Sequence, residues 1–124
     1  ALDCMMRAAV LHSVVCFGGE PRLVVPPHAD GIGGRASATA LTAVRRLTGT
    51  QVFVGSASDG HDNSEYAGAV VDAATKQALA SASIQSDEYL AAGNSAGALA
   101  SVHELLKTGT VEANVSDIFV LLTP

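Results

Sequence analysis

Short runs of valine, isoleucine and phenylalanine alternate along this chain with segments rich in alanine and leucine, and this alternation limits the folds open to it. The runs predict strands at Val14–Phe17, Gln51–Gly55 and Ile118–Leu122. A small apolar stretch, Ala67–Val71, follows the second of them. Strands that alternate with helical segments indicate an α/β fold, in which helices cover a central sheet.

The segments between the strands carry helical spacing or capping signals. The first 13 residues form a helical lead-in of apolar helix formers, and Arg35–Leu47 repeats apolar residues on one face before Gly49. Asp72 is positioned to cap a helix that ends near Ala80. Two further helices are predicted: a short one near Asp87–Ala91, and one capped by Asn94 or Ser95 that runs through Ala98, Val102, Leu105 and Leu106 to Gly109.

Two further strand patterns predict how the sheet and helices are layered. A second strand is predicted at Arg22–Val25, because the glycines and the proline before it are typical of a hairpin connection. The closing run, Ile118–Leu122, is apolar without alternation, which indicates a strand buried on both faces. We therefore predict a three-layer α/β/α sandwich with a mixed, mostly parallel sheet, formed by residues 1–124 as a single domain.

Composition excludes two classes of partner. A hydrophobic fraction of 48% is enough for one core, but no apolar run approaches the roughly 18 residues that span a bilayer. The net charge of −5 argues against nucleic-acid binding, which needs clustered lysine and arginine. Cys4 and Cys16 lie among apolar neighbours and are expected to be free, buried thiols of a cytoplasmic protein. The chain begins at Ala1, which predicts processing or a fragment of a longer protein.

Three polar segments follow strand ends, where α/β sheets form their ligand crevices. The first is Asp30–Arg35, in which three glycines, the start of a helix and the Arg35 guanidinium suit a carboxylate or a phosphate. A flexible turn followed by a surface arginine explains the same residues equally well. The segment matches neither a Walker A loop nor the dinucleotide GxGxxG pattern.

The second and third polar segments are Ser56–Tyr66 and Thr108–Asp117. In the second, Asp59, Asp62 and Glu65 with His61 are candidate ligands of a divalent cation, but Asp-Gly and Asp-Asn pairs are also typical of turns, and the turn is the favoured interpretation. The third is interpreted as a connecting loop. The four histidines show no order that predicts a catalytic triad, and His103 is interpreted as structural.

Taken in order, these motifs resemble those of the MOFRL domain, the carboxy-terminal domain of glycerate 2-kinases. The matching residues are Gly18-Gly19-Glu20, Gly33-Gly34-Arg35, Ser58-Asp59-Gly60, Asp62-Asn63, Ala67-Gly68-Ala69, Asp72, Gly109, Asn114-Val115 and Asp117. They extend over nearly the whole chain. Each motif alone is weakly specific, and the ordered set is what carries the resemblance.

The resemblance implies a two-domain kinase that transfers the γ-phosphate of ATP, with Mg²⁺, to the 2-hydroxyl of D-glycerate. A larger Rossmann-like amino-terminal domain, supplied in cis or in trans, would form the other side of the active-site cleft. Arg35 is then expected to hold the glycerate carboxylate or a phosphate, and Asp59 to orient the substrate or Mg²⁺. The expected substrate-binding residues are Glu20, Gly33, Gly34 and Asn114. No cofactor is expected to bind the isolated chain.

Two departures from the family pattern bear on activity. Ala36-Ser37-Ala38 stands where family members have Asn-Gln-Glu, and Glu112-Ala113 where they have Gly-Thr. We interpret these changes as a loss of polar groups from the cleft. Because the chain also supplies none of the larger domain's half of the site, it is expected to be inactive by itself. The alternative is a free-standing module that binds a small ligand or assembles, with a second copy as its partner in a homodimer. A likeness of fold alone is a third possibility.

Overall fold

A computed structural model describes residues 1–124 and contains five helices and five strands. The helices are α1 (Leu2–Ala8), α2 (Arg35–Val44), α3 (Ala73–Ser81), α4 (Ser86–Ala91) and α5 (Ser95–Ala100). The strands are β1 (Ser13–Gly19), β2 (Val52–Ala57), β3 (Gly68–Asp72), β4 (Leu105–Leu106) and β5 (Asp117–Thr123). The predicted lead-in helix, the cap at Asp72 and the strands that became β1, β2 and β5 are confirmed within a few residues.

The five strands form one sheet in the order β1-β5-β2-β3-β4, and every neighbouring pair is antiparallel. The prediction of a mostly parallel sheet is therefore wrong. Strands β1 and β2 do run in the same direction and are joined through α2, as in a parallel crossover. The closing strand β5 lies between them and runs the opposite way. The alternation of strands and helices along the chain does not show that the last strand lies between β1 and β2.

The helices pack on one face of the sheet, so the fold has two layers and the predicted third layer is absent. One core contains residues of α1, α2, α3 and α5 together with Phe53 and Phe119, and side chains of α4 pack against it. Along β5, buried Phe119 and Leu121 alternate with Ile118 and Leu122, which are each 40% exposed. The prediction that β5 is buried on both faces is therefore wrong. Antiparallel sheets commonly leave one face uncovered.

Two predicted elements differ in the structure. Arg22–Val25 forms no strand, because β1 pairs with β5 and not with the segment that follows it. Helix α5 ends at Ala100, and the predicted second half of this helix is a turn followed by the edge strand β4. His103, in that turn, has a φ of 62°, which a helix cannot contain. Val102 still packs against the core. Apolar residues buried in separate elements therefore have the same spacing as those on one face of a helix.

Cys4 and Cys16 are free, as predicted, but both are exposed, so the prediction of buried thiols is wrong. None of the helices is long and apolar enough to cross a membrane.

Helix α2 approaches β2 so closely that Gly55 is needed where they cross. A Cβ atom at Gly55 would lie 2.6 Å from the carbonyl oxygen of Ala36, whereas one at Gly18 in β1 would have its nearest neighbour at 4.0 Å. We expect Gly55→Ala to lower the free energy of unfolding by about 1–3 kcal/mol, because the helix must move away from the sheet. Gly18→Ala is the matched control and should change it by less than about 0.5 kcal/mol. Urea denaturation followed by circular dichroism measures both; equal losses would contradict the close crossing.

Candidate functional site

The three polar segments found in the sequence meet at one end of the sheet, where β1 and β2 finish and β5 begins, as predicted for a crevice. Asp117, the first residue of β5, lies opposite the last residues of both β1 and β2. His61 and Thr110 share a 2.9 Å hydrogen bond that joins the second segment to the third. Asn63 Nδ2 donates to the carbonyl of Gly33 at 3.3 Å, which joins the second segment to the first. We call this surface, formed by residues 30–35, 58–66 and 108–117, the polar edge.

Two carboxylates fix Arg35 in the polar edge. Its Nε donates to Oδ2 of Asp117 at 2.6 Å, and its Nη1 lies 3.4 Å from Oε2 of Glu20. The side chain of Asp117 is 5% exposed and that of Arg35 is 38% exposed. The hydrogen bond to Asp117 raises the pKa of Arg35 above its usual value, so the guanidinium keeps its charge. Nη2 has no partner within the chain and can donate to an external carboxylate or phosphate.

Asp62 caps the amino-terminal end of α2 as an internal anion. Its carboxylate accepts hydrogen bonds from the N–H groups of Gly34 at 3.0 Å, Ala36 at 2.9 Å and Ser37 at 2.8 Å, and from the Ser37 hydroxyl at 2.6 Å. Asp62 is buried, so these bonds are shielded from water. The free amides that we predicted to serve a ligand are therefore largely satisfied within the chain. The N–H of Arg35 is the amide in this turn that Asp62 leaves without an acceptor.

The glycines before α2 make room for this internal carboxylate. A Cβ atom at Gly34 would collide with Asp62, and one at Gly33, where φ is 123°, would collide with the hydroxyls of Ser95 and Ser37. The glycines predict that another group approaches the backbone closely. Such an approach is present, and the approaching groups are side chains of the same chain. The role of both glycines in substrate binding stays a prediction.

The run Ala36-Ser37-Ala38 lies in the interior of the chain. All three residues are buried, and the Ser37 hydroxyl also lies 2.8 Å from that of Ser95. The Ser37 hydroxyl holds the carboxylate of Asp62. The interpretation that this run removes polar groups from a cleft stays a prediction.

Asp59 lies in a second part of the polar edge. Its carboxylate accepts from the N–H of His61 at 3.0 Å and from Nδ2 of Asn114 at 3.4 Å. No hydrogen bond or ion pair joins this pair to Arg35. The predicted site residues thus form two groups, Arg35 with Glu20 and Asp59 with Asn114, which the loops of the polar edge connect.

A shallow groove with a volume of about 340 Å³ runs along the polar edge beside Arg35, His61 and Asp117. Its volume is at the lower end of the range of small-molecule sites, about 300–1,000 Å³. The groove is open to solvent along its length, so a small acid bound there would keep much of its surface wet. A second surface placed over the groove would enclose such a ligand.

The residues of this chain alone do not fit ATP and Mg²⁺. No group of three or more histidine, cysteine, aspartate or glutamate side chains is placed to share a metal ion. Asp62 already accepts four hydrogen bonds, which leaves Asp59 as the available carboxylate of the two metal candidates. A triphosphate needs several free amides or cations, whereas Asp62 occupies the amides and two carboxylates pair with Arg35.

Sequence reasoning missed the roles of Asp117 and Ser95. An acidic residue that opens an otherwise apolar strand is unusual, and this signal could have marked Asp117 as a buried carboxylate that needs a cationic partner. Ser95 gave no such signal, because it stands at the start of a helix and is indistinguishable there from an ordinary cap. Its contact with Ser37 joins residues 58 positions apart.

Comparison with known proteins places the chain in a family. The family model described as the MOFRL family matches residues 13–117. The chain belongs to the MOFRL family. The resemblance seen in the ordered motifs is therefore confirmed.

The relatives of this MOFRL chain are glycerate kinases. It is 33% identical to D-glycerate 2-kinase of Thermotoga maritima and 34% identical to glycerate kinase of Danio rerio, over 87% and 86% of its own length. The crystal structure of the Thermotoga maritima glycerate kinase matches 91% of the chain with a TM-score of 0.85 and 32% identity. These alignments cover 26%, 23% and 28% of the longer proteins. The chain thus spans about a quarter of the length of the curated relatives it matches.

Proposed function

We propose that this MOFRL domain forms one side of an interdomain glycerate- or phosphate-binding site of a glycerate 2-kinase, and that it has no kinase activity alone. The observation that carries the proposal is that Arg35 is held in place and still has free hydrogen-bond donors. Asp117 and Glu20 hold its guanidinium in place, while Nη2 and the backbone N–H remain free beside the open groove. The kinship with glycerate kinases supports glycerate as the substrate.

The charges around Arg35 explain why a second domain would be needed. One guanidinium faces two carboxylates, so the local charge is negative, which weakens the binding of an anion by the isolated chain. Phosphoryl transfer depends on positioning the reactants and neutralising their charge. We therefore place the ATP site and most of the Mg²⁺ ligands on the larger domain, which would supply the missing positive charge. Arg35 then orients the glycerate carboxylate or the transferred phosphate.

The other predicted residues take supporting roles in this proposal. Glu20 contacts the guanidinium and acts through Arg35 as a positioning residue. Asp59, held by Asn114, is the carboxylate available to orient the substrate or Mg²⁺ once the cleft is complete. Gly33 and Gly34 shape the backbone beside Arg35.

A chimera tests the proposal. The isolated chain, with ATP, Mg²⁺ and D-glycerate, is expected to release no ADP. Grafted in place of the corresponding quarter of the Thermotoga maritima enzyme, it is expected to restore turnover. In the chimera, Arg35→Ala should lower kcat/KM by roughly 10- to 100-fold, the cost of losing a hydrogen bond between charged groups.

The matched control is Arg45→Ala, which removes an exposed arginine of the same helix region that pairs with Asp87. This variant should keep the activity of the chimera, because a surface ion pair contributes little. Turnover by the isolated chain, or equal losses in the Arg35 and Arg45 variants, would refute the proposal.

A free-standing ligand-binding module is the second candidate, and one observation favours it. The loops of the polar edge bind one another, as in the hydrogen bond from the Val115 N–H to the Ser58 hydroxyl at 2.8 Å, and need no other domain to hold their shape. A melting temperature of the isolated chain that rises with D-glycerate or phosphate, beside an inactive chimera, would favour this module.

A further inference from the structure

A second groove reaches Arg35 from outside the polar edge, and its volume is about 200 Å³. It lies between residues 21–23, one face of α2 and the side chains of Leu2 and Leu90. Arg35 and Leu23 are the only residues that it shares with the groove along the polar edge. We call it the arginine groove. The proposed function assigns no ligand to it.

The arginine groove is lined by two arginines and by no carboxylate. Arg22 is exposed and takes part in none of the ion pairs of the chain. Nη2 of Arg35 is free as well, and neither Glu20 nor Asp117, its two partners, lines the groove. The groove therefore gathers positive charge on a chain whose net charge is −5, which suits it to an anion.

Helix α2 presents hydroxyl groups to the same groove. Arg35, Thr39 and Thr42 stand at positions i, i+4 and i+7 of the helix, so they share one of its faces. The Thr42 hydroxyl donates to the carbonyl of Ala38 at 2.8 Å. Thr39 is half-buried, and its hydroxyl has no hydrogen-bond partner within the chain. One turn of the helix from Arg35, this hydroxyl is therefore available to a ligand.

Apolar side chains form the rest of the arginine groove. Leu2 and Leu90 line it and also pack against the hydrophobic core, so the fold holds these walls in place. Leu23 and Ala38 line it as well. At roughly 30 Å³ for each water-sized group, a volume of about 200 Å³ holds about six or seven non-hydrogen atoms. The groove is therefore large enough for a small acid and too small for a nucleotide.

We propose that the arginine groove binds a short-chain carboxylate with about four or five carbon atoms. Its carboxylate group accepts hydrogen bonds from the guanidinium groups of Arg22 and Arg35, which match the planar geometry of a carboxylate. The Thr39 hydroxyl donates a further hydrogen bond. The hydrocarbon end contacts the leucines, which removes apolar surface of both ligand and protein from water. This binding is a property of the isolated chain and does not rest on the proposed kinase role.

Titration with butyrate, followed by NMR of the isotope-labelled chain at constant ionic strength, tests the site. The amide signals of Thr39, Thr42 and Leu90 should shift with a Kd of roughly 1–10 mM, because so small a ligand makes few contacts. Butyramide, which has the same shape without the charge, should cause no saturable shift. Acetate and inorganic phosphate, which lack the hydrocarbon chain, should bind at least about 3-fold more weakly than butyrate. An analogue that binds as tightly as butyrate, or shifts confined to His61 and Asn63 in the polar edge, would overturn the proposal.

Three variants test which side chains bind the carboxylate. Arg22→Ala should raise the Kd of butyrate at least about 10-fold, because it removes a charged hydrogen-bond donor. Thr39→Val keeps the shape of the side chain without its hydroxyl and should raise the Kd roughly 2- to 10-fold. The matched control is Arg7→Ala, which removes an exposed arginine of α1 that neither forms an ion pair nor lines the groove. Circular dichroism checks that each variant stays folded.

Two further results would contradict the arginine groove as a carboxylate site. One is the absence of any saturable shift up to roughly 50 mM butyrate, and the other is an equal Kd in the Arg22→Ala and Arg7→Ala variants. An inactive kinase chimera would leave the butyrate Kd of the isolated chain unchanged, and a chain that does not bind butyrate could still support turnover in the chimera. The two proposals therefore fail separately.

Discussion

Asp62→Ala is expected to lower the free energy of unfolding by about 3 kcal/mol, although the residue lies in a loop. The substitution removes the acceptor of four hydrogen bonds at the start of α2. Three of the donors are buried backbone amides, which would lose their partner without gaining water. Helix α2 packs against both β2 and β3, so a loss at its first turn affects the whole core.

Two variants make the test specific. Asp62→Asn keeps an oxygen acceptor at the same place and should cost less than Asp62→Ala, by roughly 1 kcal/mol or more. Asp59→Ala removes an incompletely buried carboxylate from the same loop and should cost less than about 1 kcal/mol. Urea denaturation at fixed pH gives the three values. If Asp59→Ala and Asp62→Ala destabilise the chain equally, Asp62 is not the internal cap of α2.

Local sequence predicts some parts of the fold and not others. The helix that starts at Arg35, the cap at Asp72 and the strands β1 and β2 follow from residues close together in the chain, and each was predicted. The position of β5 was not, because its pairing with both β1 and β2 depends on contacts between residues far apart in the chain, which local patterns do not show. Strand direction and layer number follow from that placement, so both were predicted wrongly.

In the candidate site, too, local motifs predict some features, and contacts between distant residues decide the rest. The ordered motifs located all three segments of the polar edge and singled out Arg35. They could not show what Arg35 contacts, since Asp117 is 82 positions away in the chain. The glycine motif indicated a close approach to the backbone, but the sequence does not distinguish an external anion from the carboxylate of Asp62. Composition and spacing thus predict where polar groups gather, and the three-dimensional contacts decide which of them are already used.

Arg35→Ala is expected to lower the free energy of unfolding by about 2 kcal/mol, because it leaves the carboxylate of Asp117 buried without a partner. The guanidinium is partly exposed, and solvent screening keeps the loss below that of a fully buried pair. The double variant Arg35→Ala with Asp117→Asn should recover at least about 1 kcal/mol, since a neutral amide is less costly to bury. Urea denaturation of the two single variants, the double variant and the parent gives the interaction energy. A double variant no more stable than Arg35→Ala alone would contradict a stabilising pair.

The same double variant separates the two roles of Arg35. If Arg35 only stabilises the fold, restoring stability through Asp117→Asn should restore the turnover of the glycerate kinase chimera as well. If Arg35 binds the glycerate carboxylate or a phosphate, as proposed, the double variant should be stable and still roughly 10- to 100-fold less active than the chimera with Arg35. Arg35→Lys sharpens the distinction, because lysine keeps the positive charge but cannot donate to Asp117 and to a ligand in one plane. Activity that stays low in Arg35→Lys, with stability largely kept, would favour bidentate recognition by the guanidinium over a simple requirement for positive charge.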